Sequence, residues 1–274
     1  MNKKTISFLG PKGTNSEFAA IKYDKAAKLV PVRTMYEAMM NVHNDVSQYA
    51  VCAIENSLEG SVNEVIDVLI NQANALMIYG EIIIKIKHLL VGPKNLDINK
   101  LKFIYSHPQA LAQCRQSIAA LSSNIELIPA SSTAAAVEEA VNVKNACAIA
   151  TEHAANHYEA EIYKENFADS EDNFTRFVVV SKNSHEPTGN DKTSIAFTTQ
   201  HDKPGSLVEI LKLFSMHTLN LSKIESRPTK ARLGTYVFLI DIDAHSAQEP
   251  LKSVLNEIMK IADWLKIIGS YPKI

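Results

Sequence analysis

The sequence predicts an α/β protein in two parts, and three observations carry that expectation. Residues 1–181 alternate strand and helix patterns. The stretch KNSHEPTGNDK at 182–192 is polar, holds Pro187 and Gly189, and breaks all apolar periodicity, as a linker would. Residues 193–274 then read strand, helix, strand, strand, helix, strand. A chain of 274 residues is too long for one typical core and long enough for two.

In the first part, the strand ISFLG runs into PKGTNSEFAA, where Thr14 and Glu17 are spaced as a capping box. A helix over TMYEAMMNV (34–42) precedes a strand over AVCAIENS (50–57). A weak echo recurs at an offset of 95 residues: FLGP (8–11) against FIYS (103–106), and VCAI (51–54) against ACAI (146–149). The echo predicts two similar α/β lobes, mostly parallel, with a cleft between them. Ligands of such sheets bind beyond the carboxyl ends of strands. GPKGTNS, ENSLEGS, SHPQ and the turn at 151–153 occupy those places.

In the last part, strands are expected at 193–199, 221–227, 235–242 and 264–271. One helix opens at Pro204, with Leu207, Ile210, Leu211 and Phe214 on one face. Another follows Pro250, with Leu251, Val254, Leu255, Ile258 and Ile261. This order is a ferredoxin-like βαββαβ sandwich.

Composition excludes several classes. With 46% hydrophobic and 21% charged residues, the chain is ordinary for a soluble protein. No apolar run approaches the roughly 18 residues of a membrane span. MNKKTISFLG lacks the apolar core of a signal peptide. Cys52, Cys114 and Cys147 are few, scattered and odd in number, which predicts no disulfide framework and a reducing cytoplasm. A net charge of −2 argues against nucleic acid and membrane surfaces as partners.

Several stretches allow two readings. Gly10–Thr14 can offer backbone N–H groups to an anion, or simply make a tight turn; it is not a nucleotide-binding loop. Glu55, Asn56 and Ser57 can line a cleft, or cap the next helix. Gln109 and Gln113, four apart, can face a ligand or solvent. His107 can transfer a proton, or shape the turn before Pro108. His153 and His157 have zinc spacing but no third ligand in view. Cys52 and Cys147 lie inside apolar strands as packing residues. In DNFTRFVVV (172–180), strand alternation puts Thr175 with Phe177 on one face and Phe174 with Arg176 on the other. Thr175 and Arg176 reach one pocket together only if the strand begins irregularly.

The pieces GPKGTNSEFAA (10–20), AIENSLEGSV (53–62), SHPQALAQC (106–114), STAAA (132–136) and Thr-Arg-Phe (175–177), in that order, resemble the prephenate dehydratase family. KPGSLVEIL (203–211) and NLSKIESRP (220–228) resemble its ACT regulatory domain. Ser206 and Ser222 stand where family members often carry Ala and Thr. The resemblance implies a two-lobed, periplasmic-binding-protein-like catalytic domain over 1–181, a linker over 182–192 and an ACT domain over 193–274. It implies that prephenate loses its ring hydroxyl and ring carboxylate, giving phenylpyruvate, water and carbon dioxide. Aromatisation drives that reaction, so no cofactor or metal is expected.

By the same resemblance, Thr175 stands at the leaving hydroxyl. Asn56, Ser106 and Gln113 bind and orient prephenate, and Glu55 supports them. Arg176 or the 13–16 loop holds a carboxylate, with Thr14, Ser16, Thr133 and Phe177 as further substrate contacts. Phenylalanine is the expected effector. It would bind at Gly205, Ser206, Leu207 and Val208, facing Asn220, Leu221, Glu225 and Ser226, in a homodimer or homotetramer with paired ACT domains. Two rivals remain: an arogenate dehydratase, and a non-catalytic two-lobed amino-acid sensor. A fused chorismate mutase is not expected, because the chain opens on the first dehydratase strand.

Overall fold

A computed structural model describes residues 3–71, 75–121, 124–199, 204–229 and 235–274. The chain runs β1 (Thr5–Leu9), α1 (Asn15–Tyr23), β2 (Lys28–Val32), α2 (Met35–His43), β3 (Tyr49–Asn56), β4 (Gly60–Ser61), α3 (Asn63–Ile70) and β5 (Met77–Lys85). A second series follows: β6 (Leu89–Gly92), β7 (Phe103–Ser106), α4 (Pro108–Gln113), α5 (Arg115–Ala119), β8 (Glu126–Pro129), α6 (Thr133–Ala140), β9 (Ala146–Ala150), α7 (Glu152–His157) and β10 (Glu161–Lys164). The chain then returns through β11 (Phe174–Ser181). The last series is β12 (Asp191–Thr199), α8 (Ser206–Met216), β13 (Leu221–Pro228), β14 (Tyr236–Ile242), α9 (Leu251–Ile261) and β15 (Ala262–Pro272).

The sequence echo has a topological counterpart. One sheet has the order β2-β1-β3-β11-β5, with β4 on β3; a second has β10-β6-β9-β7-β8. The trio β2-β1-β3 is repeated as β8-β7-β9, each trio threaded through helices. The second sheet is more mixed than expected. β7 runs parallel to β8 and β9, but β6 is antiparallel to β9 and β10 to β6. The reason lies in connectivity: β6 brings the chain into this lobe and β10 takes it out, so neither follows a helical crossover from a neighbour.

Alternation along the central strands gives the second sheet two cores. Ala146, Ala148 and Ala150 pack with Leu89 and Val91 against α6 and α7. Cys147 and Ile149 pack with Leu90 and Ile104 against α4 and α5. Small alanines on the first face let the helix carrying Ala134, Ala136, Val137 and Ala140 lie close. Burial pushes the Cys114 and Cys147 thiols up to about 12, so both pack as neutral side chains.

The described residues form two compact units. One combines Met1–Ala38, Val51–Val62 and Ile82–Phe177; the other combines Met39–Ala50, Asn63–Glu81 and Val178–Ile274. In the second unit, β13-β14-β12-β15 form an antiparallel sheet of ferredoxin-like order. Ile195, Phe197, Ile240 and Ile242 face Ile210 and Phe214 of α8 and Leu251, Val254, Leu255 and Ile258 of α9 in one core. β12 begins two residues earlier than the apolar pattern predicts. Asp191 and Lys192 pair with Pro272 and Tyr271, and the Asp191 carboxylate accepts from Thr188 N, Gly189 N and Thr188 Oγ1. Polar residues thus extend the strand because the preceding turn satisfies them.

That early start also positions a buried ion pair. Lys192 Nζ donates to both Glu81 carboxylate oxygens, at 2.9 and 3.0 Å, with side-chain exposures of 11% and 1%. Gly269 on β15 lets the backbone of β5 approach closely: a Cβ there would meet the Ile78 carbonyl oxygen at 2.3 Å. Removing one member of such a pair strands the other. Lys192→Met should therefore destabilise by about 3 kcal/mol, several degrees in melting temperature, while the double variant Lys192→Met/Glu81→Gln regains part of the loss. Thermal unfolding followed by circular dichroism checks both.

Candidate active site

A cavity of about 360 Å³ opens in the first unit, within the range of small-molecule sites. Its wall is assembled from strand ends. Leu9 and Gly10 follow β1, Arg33 follows β2, Asn56 ends β3, His107 follows β7, and Ser131 to Thr133 follow β8. The two segments that carry the chain between the sheets supply Ile86, His88, Asn173 and Thr175.

Thr175 is half-buried at the start of β11 and its hydroxyl is oriented by Asn56. Asn56 Oδ1 accepts from the backbone N–H groups of Leu58 and Glu59 at 3.0 and 3.1 Å. This fixes the amide, because a flipped Asn56 would point its NH2 at two donors. Asn56 Nδ2 therefore faces inward and donates to Asn173 Oδ1 at 2.8 Å and Thr175 Oγ1 at 2.9 Å, with the Phe174 carbonyl at 3.2 Å. Thr175 Oγ1 is thus an acceptor toward Asn56, and its own proton is free to point into the cavity. Asn173 Nδ2 in turn donates to Gln113 Oε1 at 2.9 Å, and Gln113 Nε2 lies 3.4 Å from Glu59 Oε1.

Charge in the cavity is sparse. Among its lining residues Arg33 is the one lysine or arginine, and no carboxylate lines it. Arg33 precedes α2, and its backbone N–H donates to Glu37 Oε2 at 3.0 Å. The Thr14 pair at α1 repeats this arrangement. Glu17 N donates to Thr14 Oγ1 as a capping box requires, but the Glu17 carboxylate accepts from Gly13 N at 2.6 Å, one residue earlier than the motif predicts. His153 Nε2 lies 3.1 Å from the same carboxylate.

Arg176 follows the strand alternation. Arg176 Nε lies 3.4 Å from Glu55 Oε2, and neither residue lines the cavity that Thr175 lines. Phe177, on the Thr175 side, is 2% exposed and sits in the core. Ser106 is fully buried and donates to the Ile149 carbonyl at 2.6 Å, bracing β7 against β9 rather than facing the cavity. Thr14 and Thr133 line the cavity, whereas the buried Ser16 does not. Thr14 Oγ1 donates to the Leu9 carbonyl, so the glycine loop satisfies itself as a turn. His107 caps α4, its Nδ1 accepting from Gln109 N, and both residues line the cavity. Among the described residues no cluster of His, Cys, Asp or Glu is arranged to hold a metal ion.

The expected effector positions lie on the ferredoxin-like part. Gly205 adopts φ +87 at the start of α8, which a side chain would strain; its backbone turns the chain into the helix. Leu207 and Leu221 pack on the shared apolar core, while Val208 is 52% exposed. Asn220 Nδ2 donates to Asp243 Oδ2, Glu225 pairs with Lys223, and Ser226 lies opposite Phe238 on β14. Lys203, the first residue of the KPGSLVEIL motif, lies outside the described residues.

Sequence reasoning did not single out Arg33, His88 or Asn173. Asn173 sits inside the quoted DNFTRFVVV, and its place before a strand returning to the first sheet was the available signal. His88 is a polar residue at the head of a buried strand, a second signal. Arg33 looks like an ordinary cation after a strand.

Known proteins align with this arrangement. The prephenate dehydratase family profile matches residues 6–185 and the ACT domain profile matches 193–262. Prephenate dehydratase of Methanocaldococcus jannaschii is 39% identical over 281 residues, covering 99% of each chain. The solved structure of prephenate dehydratase in complex with L-Phe from Arthrobacter aurescens superposes with a TM-score of 0.89 at 33% identity, over 98% of this chain and 90% of that one. GqqA, described as a novel type of quorum quenching acylase, superposes with a TM-score of 0.88 at 28% identity, over 99% and 98%. With the family profile spanning most of its length and a full-length relative at 39% identity, the chain belongs to the prephenate dehydratase family.

Proposed function

We propose that the chain converts prephenate to phenylpyruvate, water and carbon dioxide in phenylalanine synthesis, under feedback by phenylalanine. The observation that carries this reading is the bond from Asn56 Nδ2 to Thr175 Oγ1. It leaves the Thr175 proton available to a departing hydroxyl. As the ring carboxylate leaves as carbon dioxide, its C–C electron pair forms the new ring double bond and expels the hydroxyl. A threonine hydroxyl is too weak an acid to protonate it alone, so Thr175 donates a positioned hydrogen bond to the departing oxygen, which takes up a proton from solvent and leaves as water.

Arg33 takes the carboxylate role expected of Arg176, because it is the cation facing the cavity. Asn56 and Gln113 orient substrate and Thr175, Thr14 and Thr133 offer further contacts, and Glu55, Arg176, Ser106, Ser16 and Phe177 support the wall. The reading assigns 1–181 to catalysis, 182–192 to a linker and 193–274 to regulation, supported by the match boundaries at 185 and 193.

Phenylalanine would bind where the free N–H groups after Gly205 suit a carboxylate, opposite Asn220 to Ser226 on a neighbouring subunit. The A. aurescens protein's complex with L-Phe supports this. Val208, Ile224 and Tyr236, 46–52% exposed on the ferredoxin-like part, support ACT pairing in a dimer or tetramer. The protein works in the cytoplasm, a reading supported by three scattered cysteines that are buried as packing residues. Acyl hydrolysis, the activity named for GqqA, fits the site less well. It needs a nucleophile activated by a base, but Ser106 gives its proton to a carbonyl and Thr175 is held by an amide donor.

Purified protein should release phenylpyruvate from prephenate, faster than it acts on arogenate, and phenylalanine should slow it. Thr175→Ala should lower kcat by about 10²–10³ with little change in KM, the scale of losing one donor at a developing charge; a kcat near wild type rules the assignment out. Arg33→Gln should raise KM about 10- to 100-fold, the worth of a hydrogen bond to a charged group. Titration calorimetry should detect phenylalanine binding, and its absence removes the regulatory reading.

A further inference from the structure

The amide network behind Thr175 does not stop at Gln113. His88 Nε2 lies 2.9 Å from Gln113 Oε1, the atom that also accepts from Asn173 Nδ2. Two atoms facing one carbonyl oxygen must both be donors. The orientation of each group is inherited from the one before: the N–H groups of Leu58 and Glu59 fix Asn56, Asn56 fixes Asn173, and Asn173 fixes Gln113. Neutral His88 therefore carries its proton on Nε2, and Nδ1 is bare. Nδ1 is buried and has no hydrogen-bond partner, and the whole residue is 4% exposed. A buried, unpartnered ring nitrogen is uncommon enough to require an explanation.

We propose that His88 is a positioning residue for the dehydration: its Nε2–H locks the Gln113–Asn173–Asn56 chain in the one register that leaves the Thr175 proton for the substrate. Without this donor, only Asn173 Nδ2 and the long 3.4 Å contact to Glu59 hold the Gln113 amide, and the rotated orientation becomes accessible. A rotated Gln113 presents NH2 to Asn173, which drives Asn173 to turn its carbonyl outward and its own NH2 toward Asn56. Asn56 cannot flip, because Leu58 and Glu59 hold it, so two NH2 groups then collide and Asn56 is displaced from Thr175. The bare Nδ1 is what makes the lock unambiguous. A ring with no partner on Nδ1 gains nothing from moving its proton there.

Burial lowers the His88 pKa below its ordinary value of 6.5, opposed by the bond to Gln113. The charged and titratable groups around it are Arg33 and His107 on the main cavity, Glu59 on Gln113, and Lys85, Lys87 and Glu171 around a neighbouring cavity of about 140 Å³. Unfolded protein binds a proton at His88 near pH 6.5 and folded protein only at lower pH, so stability falls as pH drops below 6.5. His88→Gln should make that fall shallower.

The proposal rests on Thr175 as the donor to substrate, and Thr175→Ala alone reports on that. His88 is tested in the full-length protein with prephenate. His88→Phe removes the donor, and His88→Gln returns an amide N–H at the Nε2 position. His88→Phe should lower kcat about tenfold or more with KM within about threefold, and His88→Gln should recover most of it. In a Thr175→Ser background, where the hydroxyl is already loosely held, the His88→Phe loss should shrink. Should His88→Phe fail to fold, His88→Asn, whose shorter amide cannot reach Gln113, replaces it. Nitrogen NMR of the wild type should give the Nε2–H tautomer at neutral pH. An Nδ1–H tautomer, a kcat within twofold for a folded donor-less variant, or an equal loss in both backgrounds overturns the role.

Discussion

Two backbone N–H groups decide the chemistry of the cavity. Those of Leu58 and Glu59 both point at Asn56 Oδ1, and everything downstream takes its polarity from that contact. An asparagine amide has two faces of nearly equal shape, so packing alone cannot choose between them. Hydrogen bonding can, since a donor facing a donor in a buried site loses its bond and its hydration together. The short turn between β3 and β4 makes the choice, because Asn56 ends β3 and the chain reverses within three residues to pair Asn56 with Gly60. Sheet register, turn length and side-chain amide orientation are therefore one constraint expressed at three scales.

The same logic applies to the Thr175 hydroxyl on β11. This strand is the second passage between the sheets, and its far end is deeply buried: Phe177 through Ser181 are all core residues. A side chain at its mouth is held by a strand that cannot shift without disturbing the first sheet. Ser57 reinforces the mouth, with Ser57 N donating to the Phe174 carbonyl and Phe174 N to Ser57 Oγ. Ile86 N also donates to the Asn173 carbonyl, tying one passage to the other. The cavity thus draws its rigid wall from the segments that join the lobes, and its polar rim from strand ends.

Much of this was legible in the sequence, and the rest fails for identifiable reasons. Period-two alternation in FTRFVVV separated Thr175 from Arg176, and the structure sends Arg176 to Glu55. The 95-residue echo anticipated the repeated strand trio. Capping residues located α1, although Glu17 reaches Gly13 rather than Thr14, a shift that turn geometry sets and spacing does not encode. Ser106 illustrates a different limit. Its position at a strand end is visible in the sequence, but which face its hydroxyl takes depends on the Ile149 carbonyl of a strand more than 40 residues away. Arg33 and His88 were missed because their importance comes from what surrounds them. One is the lone lysine or arginine of a wall without carboxylates, and the other is a buried ring at the end of a chain of amides.

The sparse charge of that wall bears on the reaction itself. Prephenate carries two carboxylates, and only one survives. A cation on the ring carboxylate would stabilise charge that must disappear as carbon dioxide forms, deepening the ground state more than the transition state. A cation on the pyruvyl carboxylate does no such harm, since that charge persists unchanged and binding there serves only to hold the ring in place. A cavity lined by one arginine, no lysine and no carboxylate therefore suits a dianion that must lose one charge. Under the proposed roles, Arg33 and Thr175 would act on opposite ends of the molecule: the first on a group that does not react, the second on the hydroxyl that does. Arg176 lies outside the cavity, 3.4 Å from Glu55, where a second cation does not oppose the loss of that charge.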